Sequence, residues 1–376
     1  MKILQIISSM GINSGGPSTC TYFLIKGLNK LGIRAIILTF TPIEGDSLIA
    51  NDSFIRTVEK PFERKFGYSY SFRKHLNKYQ DYNLIHANGL WQYSSLIGAK
   101  FSFKTKIPFV ISTHGMLYPQ ALKISSIKKK IMFFLFQKSV LNRADVIHAT
   151  CNQEKKYIRA LGITSPIAVI PNPIEVTLRK VEKKILKIKR IGFVGRFSPI
   201  KNLETLLDAW AQVGKDLDDF ELTLIGDGDE IYKKSIIKKA RDLGIRNIVF
   251  TGFLKGEEKE RMIRSLTCLV LPSKSENFGM VVAEALASNV PVIASKGTPW
   301  QDLVTHNCGW WIDIGLEPLK KALEQAIGSS DKTLIKMGAN GRKLIEDKYS
   351  MQSVAEQMLQ LYKWILTRVN KPQFIS

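Results

Sequence analysis

The sequence is poor in cysteine, short of acidic residues for its basic content, and without a long apolar run. Each lack removes a class of protein. The 376 residues include 4 Cys, and these (Cys20, Cys151, Cys268, Cys308) are far apart and never in a CxxC pair. That excludes a disulfide scaffold and a zinc module, and points to free thiols in a reducing compartment. No apolar run approaches the roughly 20 residues of a spanning helix, so none is expected. Met1–Ser9 has one Lys and a short apolar run that breaks into Gly and Asn. It lacks a long hydrophobic region and a small-residue cleavage site, and reads as a first strand, not a signal peptide. There is no short repeat and no low-complexity tract. At 45% hydrophobic and 23% charged residues, the chain is neither disordered nor collagen-like.

What is present fits two ordinary folded domains, at about 150 residues each. The charge is uneven: 55 Lys+Arg stand against 33 Asp+Glu, for a net +22. Residues 1–190 hold 30 basic and 10 acidic side chains, residues 191–376 hold 25 and 23. The first half should therefore favour an anionic partner: a membrane surface, a phosphorylated substrate or nucleic acid.

The first half alternates β-rich runs with helical spacing. Lys2–Ile7, Arg34–Thr39, Leu84–His86, Ile107–Ser112, Val146–Ala149 and Ile167–Ile170 read as strands, and Thr19–Leu31 reads as a helix. Pro171-Asn172-Pro173 and a Lys/Glu-rich run then make a linker, and the rhythm restarts at Ile191–Val194. Glu221–Ile225, Ile248–Thr251, Cys268–Leu271 and Pro291–Ala294 are further strands. Helices are expected around Leu203–Val213, Ile231–Leu243, Lys255–Leu266 and Met280–Leu286. Such alternation predicts an α/β protein of two tandem Rossmann-like, doubly wound domains facing a cleft. The expected limits are 1–175, a linker 176–189, 190–349, and a C-terminal helix in 350–376 that packs back on the first domain. Ligands of open parallel sheets sit beyond the carboxyl ends of the strands.

Two stretches there carry chemistry. In the first, Leu271 ends a strand, a polar loop carries Glu276, and Gly279 opens a helix with Glu284 in its second turn. Backbone N–H groups of Gly279, Met280 and Val281 at the helix start favour a phosphate. The two carboxylates suit hydroxyl hydrogens, one from a sugar and one from a ribose; on an ordinary helix they would be a cap and a solvated side chain. In the second, a strand ends in Gly195, and Arg196 and Lys201 follow. A guanidinium fork and a point charge suit a diphosphate, or are two solvated cations.

Together these stretches resemble the C-terminal domain of retaining glycosyltransferases of family 4, which have the two-Rossmann GT-B fold. The family's Glu–seven residues–Glu pattern is matched by Glu276 and Glu284, and its Gly-Arg followed by Lys by Gly195, Arg196 and Lys201. Leu224–Gly228, Thr251–Phe253 and Pro291–Lys296 resemble its remaining landmarks in order. In the first half, Gly15-Gly16-Pro17 resembles the family's glycine loop, and Ser112-Thr113-His114-Gly115 its strand-end histidine. His86 and His148, also at strand ends, read as structural or acceptor-lining; His75 and His306 read as loop residues. Pro171-Asn172-Pro173 departs from the family's Pro-Asn-Gly, which stiffens the hinge.

The resemblance implies transfer of a hexosyl group, with retention, from a nucleotide diphosphate sugar (UDP- or GDP-sugar) to a saccharide acceptor. In these roles Glu276 and His114 are catalytic, and Gly16, Arg196, Lys201, Gly279, Met280, Val281 and Glu284 bind the donor. Asp227-Gly228-Asp229 is an Asp-x-Asp, the pattern that elsewhere holds a metal, but its flanking glycines read as a tight turn. Metal-independent chemistry without a resident cofactor is therefore expected.

Ser125–Arg143 has more apolar surface than one packing face needs. Ile127, Ile131, Phe134 and Leu141 form one stripe; Met132, Phe133, Phe136 and Val140 form another. With Lys128, Lys129 and Lys130 beside them, Phe133 and Phe136 are expected to lie in an anionic membrane interface. The alternative is a helix buried on both sides, or a dimer contact. The enzyme would then be peripheral, on the inner face of the cytoplasmic membrane, with a lipid-diphosphate-linked acceptor in bacterial polysaccharide or O-antigen assembly. The alternatives are another GT-B enzyme, such as a nucleotide-sugar epimerase, and a basic nucleic-acid-binding protein. The last lacks an interleaved aromatic–basic platform, so no nucleic-acid partner is expected.

Overall fold

The computed structural model describes residues 1–59, 67–176, 188–214 and 216–376. Most of the expected linker, residues 177–187, lies outside them. The chain divides into two compact units, Met1–Glu175 with Ser350–Ser376, and Val176–Tyr349.

The first unit is built on seven strands: β1 (Lys2–Ser9), β2 (Arg34–Phe40), β3 (Ile55–Val58), β4 (Leu84–Asn88), β5 (Phe109–Ser112), β6 (Val146–Ala149) and β7 (Ile167–Val169). Their order is β3-β2-β1-β4-β5-β6-β7, and every neighbouring pair is parallel. Both faces are covered, as a parallel sheet requires. Leu4 and Ile6 of β1 enter one core with Ile85, Phe109, Ile111 and Ile147. Ile3 and Ile7, pointing the other way, enter a second core with Leu24 and Leu28. The terminal helix Met351–Thr367 closes that second face with Val354, Met358, Leu361 and Ile365. Ser350 starts it, its hydroxyl accepting from Ser353 N–H.

The second unit has six strands: β8 (Lys189–Val194), β9 (Phe220–Ile225), β10 (Ile248–Gly252), β11 (Cys268–Leu271), β12 (Val292–Ser295) and β13 (Gly309–Ile312). Their order is β10-β9-β8-β11-β12-β13, again all parallel. The helix Leu203–Val213 buries Leu203, Leu206, Leu207 and Trp210. That spacing of three, four and seven puts them on one stripe.

Two strands, β3 and β13, are absent from the sequence reading. Both are edges of their sheets. β3 has its two middle residues exposed and β13 is only half-buried along its four residues, so neither has the fully buried run of a central strand. In each unit the chain builds outward from the first strand, then crosses back to its other side. The turns of this kind fall between β1 and β4, and between β8 and β11. Connections diverge there and open a crevice at the carboxyl ends of the strands.

Among the described residues no helix is long and apolar enough to cross a membrane. None of the four cysteines is in a disulfide.

Candidate functional site

In the second unit, the loops after β8 and β11 bring the residues singled out in the sequence to the crevice of that sheet. Arg196 lies in the first loop, exposed and with no ion pair among the described residues. Lys201 ends the short turn Pro199–Lys201 and donates to the Glu276 carboxylate. Ser273 Oγ donates to the same carboxylate at 2.7 Å. The two loops are also joined by backbone, Lys274 N–H to Ile200 O at 2.8 Å, and Glu276 N–H reaches Gly297 O at 2.8 Å. Seventy-five residues of separation thus close into one ion pair.

Gly279 precedes the helix Met280–Ala287 in the left-handed region, at φ +78°. A Cβ there would be strained and would stand 3.3 Å from Leu271 Cδ2. The N–H groups of Met280 and Val281 stand at the helix start, ahead of its i→i−4 ladder, and point along its axis. Glu284 lies one turn further on. Lys259, from the helix Gly256–Ser265, brings Nζ to 2.6 Å from its Oε2, though without the alignment of a hydrogen bond. Nothing in the sequence singled out Lys259, which comes from a separate element.

The Asp-x-Asp is occupied by its own surroundings. Asp227 accepts from Gly228 N–H at 2.8 Å and pairs with Lys233 at 3.0 Å. The Lys233 contact, then that N–H, holds its carboxyl below the usual range. Asp229 caps the helix Glu230–Asp242, accepting from Ile231 and Tyr232 N–H. Among the described residues no group of three or more His, Cys, Asp or Glu side chains is placed to hold a metal ion.

In the first unit, Gly15 takes the positive φ of the loop after β1, and Gly16 is the first residue of the helix Gly16–Lys30. His114 follows β5, in a left-handed conformation at φ +47°. Its Nε2 meets Asn88 Oδ1 at 3.0 Å. Burial, then the neighbouring His148, lowers its pKa to about 3, so the ring is neutral. The His114 loop hangs on Glu154, which the sequence reading missed. This fully buried carboxylate accepts from Thr113 Oγ1 at 2.6 Å, from Gly115 N–H, and from Thr150 N–H and Oγ1 at 2.7 and 2.9 Å. Burial pushes its pKa up while the four donors oppose that. The two backbone N–H groups among these donors favour the ionised form, against the burial. A small cavity beside His114 is lined by Thr21, Asn88, His148 and Pro171.

The stretch 125–143 is helical, with one correction to the expected surface. Phe133 is buried and joins the core with Val140 and Leu141; it is not on the exposed face. The exposed stripe is the opposite one: Ile127 (74%), Ile131 (54%), Phe134 (71%) and Leu135 (64%), with Phe136 at 45%. The cause is a wide turn over Phe133–Gln137, where Lys138 N–H bonds to Phe133 O, five residues back. The additional residue rotates everything beyond it by about a quarter turn. That carries Leu141 off the outer stripe into the core and swings Phe136 outward. Lys128 and Lys130 are exposed and Lys129 is half-buried, with its ammonium donating to Ala121 O.

Comparison with known proteins agrees along the chain. Residues 176–344 match the family described as Glycosyl transferases group 1, and residues 14–178 match Glycosyltransferase Family 4. An O-antigen chain mannosyltransferase of Escherichia coli is 21% identical, over 97% of this chain and 99% of its own. The alpha-monoglucosyldiacylglycerol synthase of Streptococcus pneumoniae is 26% identical, over 83% of this chain and 75% of its own. An Anabaena protein crystallised with UDP and glucose superposes with a TM-score of 0.74 at 20% identity, covering 96% of this chain and 99% of that one.

Proposed function

The chain belongs to glycosyltransferase family 4 and is a hexosyltransferase of the GT-B fold, and from that premise we propose that its donor is a nucleotide diphosphate sugar, transferred with retention to a lipid-diphosphate-linked saccharide. The observation that carries this reading is the convergence of Arg196, Lys201, Glu276 and the Gly279 helix start at the crevice of one sheet. Arg196 and Lys201 take the diphosphate, joined by the N–H groups of Met280 and Val281. Glu276 accepts hydrogens from sugar hydroxyls and Glu284 from the ribose. Gly16 lets the backbone approach the donor, and His114 meets its sugar.

In the transfer, the bond from the anomeric carbon to the diphosphate oxygen breaks and the acceptor oxygen bonds to that carbon on the same face. The departing diphosphate takes the acceptor's proton. Arg196, Lys201 and the helix start stabilise the charge that grows on the diphosphate, which is where fixed positive groups lower a barrier most. These groups stand in for a cation, and the reading of metal-independent chemistry is supported by Asp227 and Asp229, already engaged with Lys233 and a helix start.

The anionic surface is a membrane leaflet. The outer stripe Ile127, Ile131, Phe134 and Leu135 is apolar and exposed, with Lys128 and Lys130 beside it. Apolar side chains beside a Lys cluster suit an interfacial helix. A lipid-linked acceptor in surface-polysaccharide assembly fits that position, as does the S. pneumoniae relative named for a diacylglycerol product.

The test is thermal stability with UDP, GDP, ADP and CDP in turn. A ligand at about a hundred times its dissociation constant stabilises by about 2.7 kcal/mol. One nucleotide should raise the Tm, and Arg196→Ala and Glu284→Ala should each lose that rise. No rise with any of the four, together with no sugar released from UDP- or GDP-sugars, would refute the donor assignment.

A further inference from the structure

We infer that Asn88, Gln5 and Tyr362 are positioning residues that hold His114 as a ring protonated on Nε2, leaving Nδ1 to meet a ligand as a hydrogen-bond acceptor. The inference deepens the role proposed for His114 at the sugar, and rests on that reading only for the identity of the ligand.

The argument starts from a row of polar side chains inside an apolar sheet. Gln5, His86, Asn88, Ser112 and His148 are all buried. They occupy adjacent strands in register: Gln5 opposite His86, Asn88 opposite Ser112, Ser112 opposite His148. Alternation along the strands puts them on the face closed by the terminal helix, which adds Tyr362. A buried polar row is costly unless every donor finds an acceptor.

One end of the row fixes the direction of all the rest. His148 Nε2 lies 2.8 Å from Ile170 O. A carbonyl only accepts, so Nε2 carries the proton and Nδ1 is an acceptor. Ser112 Oγ, 2.7 Å away, therefore donates to His148 Nδ1. With its hydrogen committed, Ser112 Oγ accepts from His86 Nε2 at 2.7 Å. His86 Nδ1 must then accept, and does so from the Tyr362 hydroxyl at 2.6 Å. Gln5 Nε2 donates to that hydroxyl at 2.9 Å, and also lies 3.0 Å from His86 Nδ1, whose one lone pair is already taken by the hydroxyl. Gln5 Oε1 accepts from Asn88 Nδ2 at 2.6 Å. That turns Asn88 Oδ1 toward His114, whose Nε2 at 3.0 Å has to donate.

Seven hydrogen bonds thus run one way, from His114 to the carbonyl just before Pro171. Reversal of any one would set two donors or two acceptors face to face. The three rings are neutral, since burial pushes His86 well below the ordinary histidine range, His148 to about 4 and His114 to about 3. No partner for His114 Nδ1 occurs among the described residues. The consequence for chemistry is specific: His114 takes a hydroxyl hydrogen from its ligand and is not a proton donor.

Ring ¹⁵N spectra of the full chain, labelled at histidine and assigned with His114→Gln, test this without any substrate. The expected spectrum at neutral pH has His114, His86 and His148 all neutral and protonated on Nε2. In Gln5→Leu, Asn88 loses its 2.6 Å acceptor and keeps only the 3.5 Å contact of Nδ2 with Ile6 O, so its amide can turn over. His114 should then show a second form, protonated on Nδ1, at comparable intensity. A wild-type His114 protonated on Nδ1, or a Gln5→Leu variant with the Nε2 form alone, overturns the relay. Where Gln5→Leu does not fold, Asn88→Leu removes the acceptor itself, and survival of the pure Nε2 form there has the same meaning. The spectra concern the ring whether or not the chain transfers sugar, so failure of the relay and failure of the donor assignment remain distinct.

Discussion

At the scale of single residues, the proposed donor site depends on how closely two loops approach. Gly226 follows β9 at φ +142°, and a Cβ there would stand 1.9 Å from Gly195 O. That contact lets Gly195 N–H reach Ile225 O at 3.0 Å and Phe197 N–H reach Asp227 O at 2.8 Å. Arg196 lies between these two anchors. Gly226→Ala forces the loops apart, and overpacking of this kind costs about 1–3 kcal/mol. We expect a lower urea midpoint and, beyond it, loss of the nucleotide-induced rise in Tm, because Arg196 moves with its loop. A variant that keeps the full nucleotide rise would show that the approach of the loops does not set the site. The same scale shows what a sequence can disclose. Arg196, Lys201, Glu276 and Gly279 were legible because each lies within eight residues of the end of an apolar strand. Lys259, Glu154 and Asn88 were not. Each acts on a residue 25 to 41 positions away in the chain, and no local pattern records such a pairing.

At the scale of elements, the central strands and the edges β7 and β10 were readable, and the edges β3 and β13 were not. β11 is a continuous apolar run, β8 ends in one at Ile191–Val194, and β1 holds one over residues 3–7 broken only by Gln5, because both of their faces are covered. β3 reads Ile-Arg-Thr-Val, with its two middle residues exposed, and has no such run. The helical stretch over 126–143 was also readable, but not which of its stripes faces out, because the wide turn at Phe133–Gln137 shifts the period midway. The corrected stripe has its own prediction. Phe134→Asp with Leu135→Asp removes apolar exposure without touching the core, since both side chains are more than three-fifths exposed. Sedimentation with vesicles rich in anionic lipid at low salt should fall at least tenfold, while the nucleotide-induced stabilisation stays at the wild-type level. Replacing Lys128 and Lys130 with Gln should also weaken sedimentation, by up to about thirtyfold, because each basic residue near such a surface is worth about 1 kcal/mol. Equal sedimentation by wild type and Phe134→Asp/Leu135→Asp would remove the membrane from this face. Phe133→Ala serves as the contrast: as a buried aromatic it should cost about 3–5 kcal/mol of stability.

At the scale of the whole molecule, the buried histidine row makes the two units respond differently to acid. His86, His114 and His148 all belong to the first unit, and all are held neutral well below their ordinary pKa of 6.5. Unfolding exposes them, and below about pH 6.5 the unfolded chain binds up to three protons that the folded unit does not. Stability therefore falls as pH drops from 6.5 toward 4, by about 1.4 kcal/mol per pH unit for each group. Glu154 works in the opposite direction. Its raised pKa lets the folded unit keep a proton that the unfolded chain has lost, so it offsets at most one of the three. The net effect is that the first unit loses stability as pH falls from 6.5 toward 4. In the second unit, the Lys348 and Tyr349 contacts more than offset the burial of Asp302, and Lys233 pairs with Asp227, so both carboxyls are lowered. Their contribution is lost only below about pH 4, as the carboxylates take up protons. Amide hydrogen exchange read by segment separates the units. Between pH 6.5 and 4.5, once corrected for the intrinsic pH dependence of exchange, protection in β1, β4, β5 and β6 should fall steeply while that in β8, β9 and β11 holds. Parallel loss in both sheets would mean that the histidines are not buried neutral, and would count against the direction of the relay to His114. Loss confined to the first sheet would mean that the row which positions His114 also sets the acid limit of its unit.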